Sequence, residues 1–411
     1  MRVLQINAVY NQLSTGRTTT ELHNALLENG IDSFCAFAQS NVEGGDNLYR
    51  IGTPFDRKLH AFLSRLSGKQ AYFSKGATKK LIKYMDEIKP DIVHLRNFHS
   101  NYINMPMILD HLGKNDIATV VTLHDFFFLT GKCVYFTEAD CSKWQSKCEN
   151  CPNLKNGNPT WFFDKTAEMF RDKYELFSKI KKLAFVGVSD WAADEAKKSP
   201  IAENASEVKR IYNWIDLNRF RPLDVEAEKK RLGLEDEFVI LGVAAVWDER
   251  KGISDFIRLA KSLSEYNDVK VVLIGPVPRV SLDDGEDGLE YVVSVGSTDS
   301  VDELVSYYNA ADVLVTLSTE ETFGKVSAEA LSCGTPVVCY NATANPELVG
   351  EGCGYVVEKG DLDGVKNAIL KIREDTKACY SQSCIGFSHK NFDKDECIKQ
   401  YILLYRQLLG E

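Results

Sequence analysis

Residues 313–340 read VLVTLSTEETFGKVSAEALSCGTPVVCY, and this stretch decides the fold. Val313, Leu314, Val315 and Leu317 make a β-rich apolar run suited to a strand buried on both faces. Pro336-Val337-Val338 starts a second such run after Gly334 stops a helix. A polar loop passes into that helix, so the order is strand, loop, helix, turn, strand.

Two carboxylates, Glu321 and Glu329, stand with seven residues between them, one before the helix and one inside it. A loop that hands over to a helix leaves the backbone N–H groups of Thr322, Phe323, Gly324 and Lys325 without helical partners, at the positive end of the dipole. That is an anion site suited to phosphate. Gly324 allows close backbone approach, Lys325 adds a positive charge, and Glu329, about one turn on, can accept both hydrogen bonds of a ribose diol.

The combination E-T-F-G, E-A-L and C-G-T-P-V-V resembles the E-x7-E signature of the retaining glycosyltransferases of family 4. The resemblance implies the GT-B fold: two doubly wound α/β domains facing a cleft, with a C-terminal helix crossing back to the first. It also implies that Glu321 contacts a donor sugar, the helix start holds a diphosphate and Glu329 binds the ribose. No metal is implied for the diphosphate.

At 411 residues the chain is too long for one core and suits two α/β domains. The expected division is 1–205 on the acceptor side with a Cys-rich insert at 130–160, then 206–390 for the nucleotide sugar and 391–411 as the returning helix. A net charge of −10 and the lack of a binding module exclude a general nucleic-acid binder. No apolar run nears the roughly 20 residues of a membrane helix. The opening MRVLQINAVY reads as a strand, so a cytoplasmic protein is expected.

In the first half, Val3 to Ala8 reads as a strand and Thr18 to Asn29 as a helix with Thr18 and Glu21 at capping-box spacing. The loop between them would bring Gly16 and Arg17 to a helix start, where open α/β sheets bind ligands; in the family this loop faces the donor. Residues 57–83 hold eight Lys or Arg interleaved with Phe62, Leu63, Leu66, Tyr72 and Phe73. This is either a seat on anionic lipid, which would make the protein peripheral on the inner face of the membrane, or two surface helices with their apolar residues turned to the core. Asp91–Leu95 and Ala118–Leu123 are further strands, and Trp161–Lys182 reads as a long helix.

His124-Asp125 ends the strand ATVVTL, and Asp125 could orient the imidazole. The family places such a His beside the donor sugar; the alternative is a structural histidine. His94 and His99 read as structural. Cys133, Cys141, Cys148 and Cys151 follow as C-x7-C-x6-C-x2-C, enough for structural zinc, with two disulfides or free thiols as alternatives. The insert looks too poor in apolar residues to order itself, which favours a metal staple. Certain bacterial polysaccharide glycosyltransferases resemble the chain in H-D-x-x-x-x-T-G-x-C before a Cys-rich insert.

In the second half, VKRIYNWIDLNRFRP at 208–222 resembles the family's crossover, with Trp214 where Gly is usual. Lys251-Gly252 matches its phosphate-binding pair. The family commonly carries Arg six residues before that Lys, and here Ala245 stands there, so Arg250 or Lys325 must supply the missing charge. Lys251, Glu321 and His124 are the expected catalytic group. The expected function is transfer of a sugar from a nucleoside diphosphate sugar to a hydroxyl of a glycan, on a lipid carrier in bacterial surface-polysaccharide synthesis. A nucleotide-sugar 2-epimerase or a non-catalytic binding subunit are the alternatives.

Overall fold

The computed structural model describes residues 1–42, 45–280 and 288–411. They form two units, Met1–Ile211 with Ile398–Glu411, and Tyr212–Cys397.

The first unit carries strands β1 (Arg2–Tyr10), β2 (Asp32–Ser40), β3 (Leu48–Arg50), β4 (Ile92–Leu95), β5 (Ala118–Leu123), β6 (Leu183–Gly187) and β7 (Glu207–Arg210). Its helices are α1 (Leu13–Glu28), α2 (Pro54–Ser67), α3 (Lys75–Ile88), α4 (Met105–Lys114), α5 (Thr166–Phe177) and α6 (Asp190–Lys197). The strands are parallel in the order β3-β2-β1-β4-β5-β6-β7. β4 and β5 are buried throughout, as a sheet covered on both faces requires.

The second unit adds α7 (Val225–Leu232), β8 (Phe238–Val243), α8 (Ile253–Leu263), β9 (Val269–Ile274), β10 (Val293–Gly296), α9 (Val301–Ala310) and β11 (Val313–Thr316). α10 (Lys325–Ser332), β12 (Val337–Tyr340), β13 (Gly354–Val357), α11 (Leu362–Asp375), α12 (Ala378–Phe392) and α13 (Lys394–Leu409) follow. Its sheet is parallel in the order β10-β9-β8-β11-β12-β13. Strand order reverses between β1 and β4 in the first sheet and between β8 and β11 in the second. Ligands of doubly wound sheets bind at the carboxyl ends of the strands at such a reversal.

From Ile398 onward, α13 belongs to the first unit and buries Ile398, Tyr401, Ile402, Tyr405 and Leu408, the face its sequence predicts. The Tyr405 hydroxyl bonds His94 Nδ1 (2.7 Å), and the Tyr401 hydroxyl bonds Thr122 Oγ1 (3.0 Å), which also reaches His94 Nε2 (2.7 Å). His94 is thus a buried structural residue, and burial pushes its pKa well down.

Several elements depart from the sequence expectation. α1 begins at Leu13, so Gly16 is buried in its first turns and Thr18 is no cap; the Thr18 hydroxyl donates to the Thr15 carbonyl (3.0 Å). α5 begins at Thr166 and not at Trp161, because Asp164 accepts from the Thr166 N–H (2.9 Å) and sets the start there. β7 pairs with β6 and continues the first sheet, so the first unit runs to Ile211 and not to the expected boundary at 205.

The Cys-rich insert, read as too poor in apolar residues to order itself, has other supports. The Phe136 and Trp144 rings meet at a tilt, 4.7 Å between centroids, and pack with Phe126 and Trp191. Lys132 donates to the carbonyls of Asn156 and Asn158, and Lys143 to those of Glu149 and Asn150. Buried Lys173 donates to Phe127, Thr130 and Gly131; burial lowers its pKa to about 7. One ammonium has three donors and can gather several carbonyls of an irregular loop.

Candidate functional site

The second sheet's reversal point puts two loops side by side, one after β8 and one after β11. The Asp248 side chain accepts from the Lys251 N–H (2.9 Å), turning residues 249–251 so that Lys251 stands ahead of α8. The Thr319 N–H donates to the Arg250 carbonyl (2.9 Å), which ties the two loops together. Across this join Lys251 Nζ meets Glu321 Oε1 in a close ion pair, both side chains mostly shielded from solvent.

Glu321 is fixed by a third loop. Its N–H donates to Thr343 Oγ1 (2.9 Å), and its carbonyl accepts from the Ala344 N–H (3.3 Å). Thr343 holds a φ of 53°, an uncommon backbone for a β-branched residue. The Asn345 amide donates to the Ser318 carbonyl (2.8 Å), fixing the same loop to the end of β11. Thr343 and Asn345 were not anticipated; Asn345 opens the short helical turn at Asn345–Leu348 just before Pro346, the one signal the sequence offered.

α10 begins on Gly324, whose φ of 89° suits glycine, and no side chain caps it. Its first-turn N–H groups therefore keep the capacity to receive an anion. The Phe323 ring packs against Tyr212 (5.9 Å) and Phe392 (5.5 Å), so Phe323 can offer a ligand its backbone only. Thr322 lies beside it in the same loop. The two cations considered for the place of Ala245 differ. Arg250 donates to the Glu320 carbonyl (3.3 Å) and lies 3.9 Å from Asp248, whereas Lys325 makes no side-chain hydrogen bond or ion pair among the described residues.

Glu329 is buried inside α10, and Oε2 accepts from the Tyr308 hydroxyl (2.8 Å). Burial, and then the carboxylate, push the Tyr308 pKa well above its ordinary value. Tyr308 was not anticipated; it sits five residues before β11 with nothing to mark it.

In the first unit His124 stands at the carboxyl end of β5, partly buried. Asp125 has partners of its own: Oδ2 faces His99 Nε2 at 3.2 Å, and Oδ1 accepts from the Phe127 N–H (2.8 Å).

Cys133, Cys141, Cys148 and Cys151 all line one small cavity with Lys132, Trp144 and Pro152. All eleven cysteines are free thiols. Cys133 and Cys151 share a thiol hydrogen bond, which raises the pKa of Cys133 and lowers that of Cys151. Cys148 accepts from the Gly131 N–H (3.1 Å). The donor chemistry suits zinc, but the placement is not a closed cage: among the described residues no three His, Cys, Asp or Glu are grouped to hold a metal ion. Zinc enters no step below.

Both halves of the chain match known families. Residues 224–383 match the family model described as glycosyl transferases group 1, and residues 15–219 match that of glycosyltransferase family 4. The N-acetyl-alpha-D-glucosaminyl L-malate synthase of Bacillus anthracis is 25% identical over 50% of this chain, which spans only 55% of that relative. The putative colanic acid biosynthesis glycosyl transferase WcaC of Escherichia coli K12 is 22% identical over 99% of this chain and 100% of its own length. Sucrose-phosphate synthase from Thermosynechococcus elongatus superposes over 100% of this chain and 99% of its own, at a TM-score of 0.69 and 18% identity. Anabaena HepE, solved in complex with UDP, gives 0.64 and 16% over 98% of each chain. With both family models matched in succession along the chain, it belongs to the glycosyltransferases that these models describe.

Proposed function

We propose that the chain moves a sugar from a nucleoside diphosphate sugar to a hydroxyl of a glycan acceptor, with retention at the anomeric carbon. The observation that carries this reading is the Lys251–Glu321 pair beside the uncapped start of α10. Phosphate on the N–H groups of Thr322 to Lys325 would draw Lys251 and Lys325 to its charge. As the bond to the sugar breaks, negative charge grows on the leaving diphosphate, and fixed donors stabilise that change more than they stabilise the bound donor.

Glu321, held by Thr343 and Lys251, is proposed to orient the sugar, and Glu329 the ribose. Lys325 rather than Arg250 is proposed for the charge that Ala245 cannot supply, since Arg250 already serves the loop join. His124 is proposed to serve a sugar hydroxyl. Gly16 is proposed only as a close-packed position at the start of α1. No residue is assigned as a covalent nucleophile. UDP, bound by HepE, is the first nucleotide to try.

The test is acceptor-dependent release of a nucleoside diphosphate from its sugar, followed by chromatography of the products. A glycan lengthened by one sugar supports the reading. A free epimerised sugar formed without acceptor would replace it with epimerisation, and no turnover with any nucleotide sugar would leave a binding subunit.

A further inference from the structure

α2 is built inside out. At about 100° per residue, Phe55, Leu59, Phe62 and Leu66 fall within roughly 60° of one another on the helix. That stripe should be the buried face, yet all four are exposed, Phe55 by 72% and Phe62 by 49%. The inward positions are polar: buried His60 bonds Ser74 Oγ (2.8 Å) and meets the Phe73 ring edge-on, with Ser64 buried one turn on. By contrast α3 turns Leu81 and Met85 to the core in the ordinary way.

A second exposed segment extends the stripe. Trp161, Phe162 and Phe163 precede α5, with Phe162 exposed by 67%. The Trp161 N–H donates to the Arg65 carbonyl (2.8 Å), and its ring stands edge-on to Phe62 (5.7 Å). Gly68, at a φ of 79°, lets the Phe163 carbonyl lie where any Cβ would collide, 2.3 Å away. Among the described residues every exposed phenylalanine and tryptophan lies in this one place.

Charge says what covers it. Lys58 and Arg65 are exposed along one flank of the stripe, inside a stretch with eight basic residues between 57 and 83, on a chain of net charge −10. Asp56, the acid on this helix, is turned into the N-terminal cap, where it accepts from Thr53. Exposed aromatic rings beside cations match an anionic bilayer surface, where rings enter the headgroup region and cations meet lipid phosphate.

We propose that the outward face of α2 and the Trp161–Phe163 segment form one docking surface for an anionic lipid bilayer. The side chains lie outside the core, so they can be replaced without loss of the fold. The surface stands independently of the chemistry proposed above, because lipid binding is read without sugar transfer.

The experiment is co-sedimentation of the full chain with phosphatidylcholine vesicles, with and without phosphatidylglycerol, at low and high salt. The expected result is binding to the anionic vesicles only, weakened by salt. Phe62→Ala with Phe162→Ala should lower partition about tenfold or more, and Lys58→Glu with Arg65→Glu about as much, at unchanged melting temperature. Absence of binding to anionic vesicles, or binding by both variants as strong as that of the unaltered chain, overturns the proposal. So does a solution dimer that both variants dissociate, since the face would then cover a second copy of the chain.

Discussion

Lys251 and Glu321 are paired across the join of the β8 and β11 loops, and neither group is simply displayed to solvent. The pair sets the direction of both side chains at the point where the second sheet's strand order reverses. A phosphate arriving at α10 must therefore engage a lysine whose charge is already shared with a carboxylate. Loss of one partner changes what the other does.

Removal of Lys251 by Lys251→Ala should lower turnover roughly 10²–10³-fold, the usual loss for one donor to a developing oxyanion. Glu321→Ala should not add fully to it. A double-mutant cycle on kcat is expected to show a coupling of about 0.5–3 kcal/mol. Additive losses, or full activity in Lys251→Ala, would contradict the pair's role.

Replacement of Glu329 by Ala removes the acceptor of a buried Tyr308 hydroxyl, so stability should fall by about 1–3 kcal/mol along with nucleotide affinity. Tyr308→Phe separates the two effects: the carboxylate stays, and nucleotide affinity should stay with it. Unchanged diphosphate affinity in Glu329→Ala, by titration calorimetry, would end the ribose role.

These residues were not equally legible in sequence. The β11–α10–β12 unit declared itself because its strands are continuous apolar runs and its glycines sit where only glycine suits. Tyr308, Thr343 and Asn345 did not, since their roles come from strands and loops brought together by the sheet. α2 is the clearest limit: the apolar period is that of a helix, but period alone does not say which side the core lies on. Asp125 beside His99, and lysines gathering the carbonyls of the insert, are contacts that no spacing encodes.

Acid should weaken the first unit. Burial lowers the pKa of His60 from 6.5 to about 4, and that of His94 is held well down as well. Both are neutral in the fold, while an unfolded histidine takes up a proton near pH 6.5, so stability is full above that pH and falls as pH drops below it. For His60 the loss by pH 4 is roughly 3 kcal/mol, at about 1.4 kcal/mol per unit. Thermal melts from pH 7.5 downward should show a steady fall that His60→Gln makes shallower; a melting temperature constant to about pH 5 would contradict it.

The four insert cysteines line one cavity but would have to draw together to close on an ion. Structural zinc is thus a proposal that rests on donor type and shared cavity. Metal analysis of protein purified in reducing buffer decides it. About one zinc per chain, lost with unfolding of the insert on Cys148→Ser, supports the staple. A stoichiometry near zero leaves the order of the insert to its lysines and aromatic rings.

The central claim is that the loops after β8 and β11, with the start of α10, hold a nucleoside diphosphate. Thermal melting of the purified chain against UDP, GDP, ADP and CMP tests it most directly. The expected result is stabilisation by one diphosphate, about 2.7 kcal/mol at a hundred times its Kd, and its loss in Lys325→Ala. A folded chain that responds to none of the diphosphates would contradict the claim.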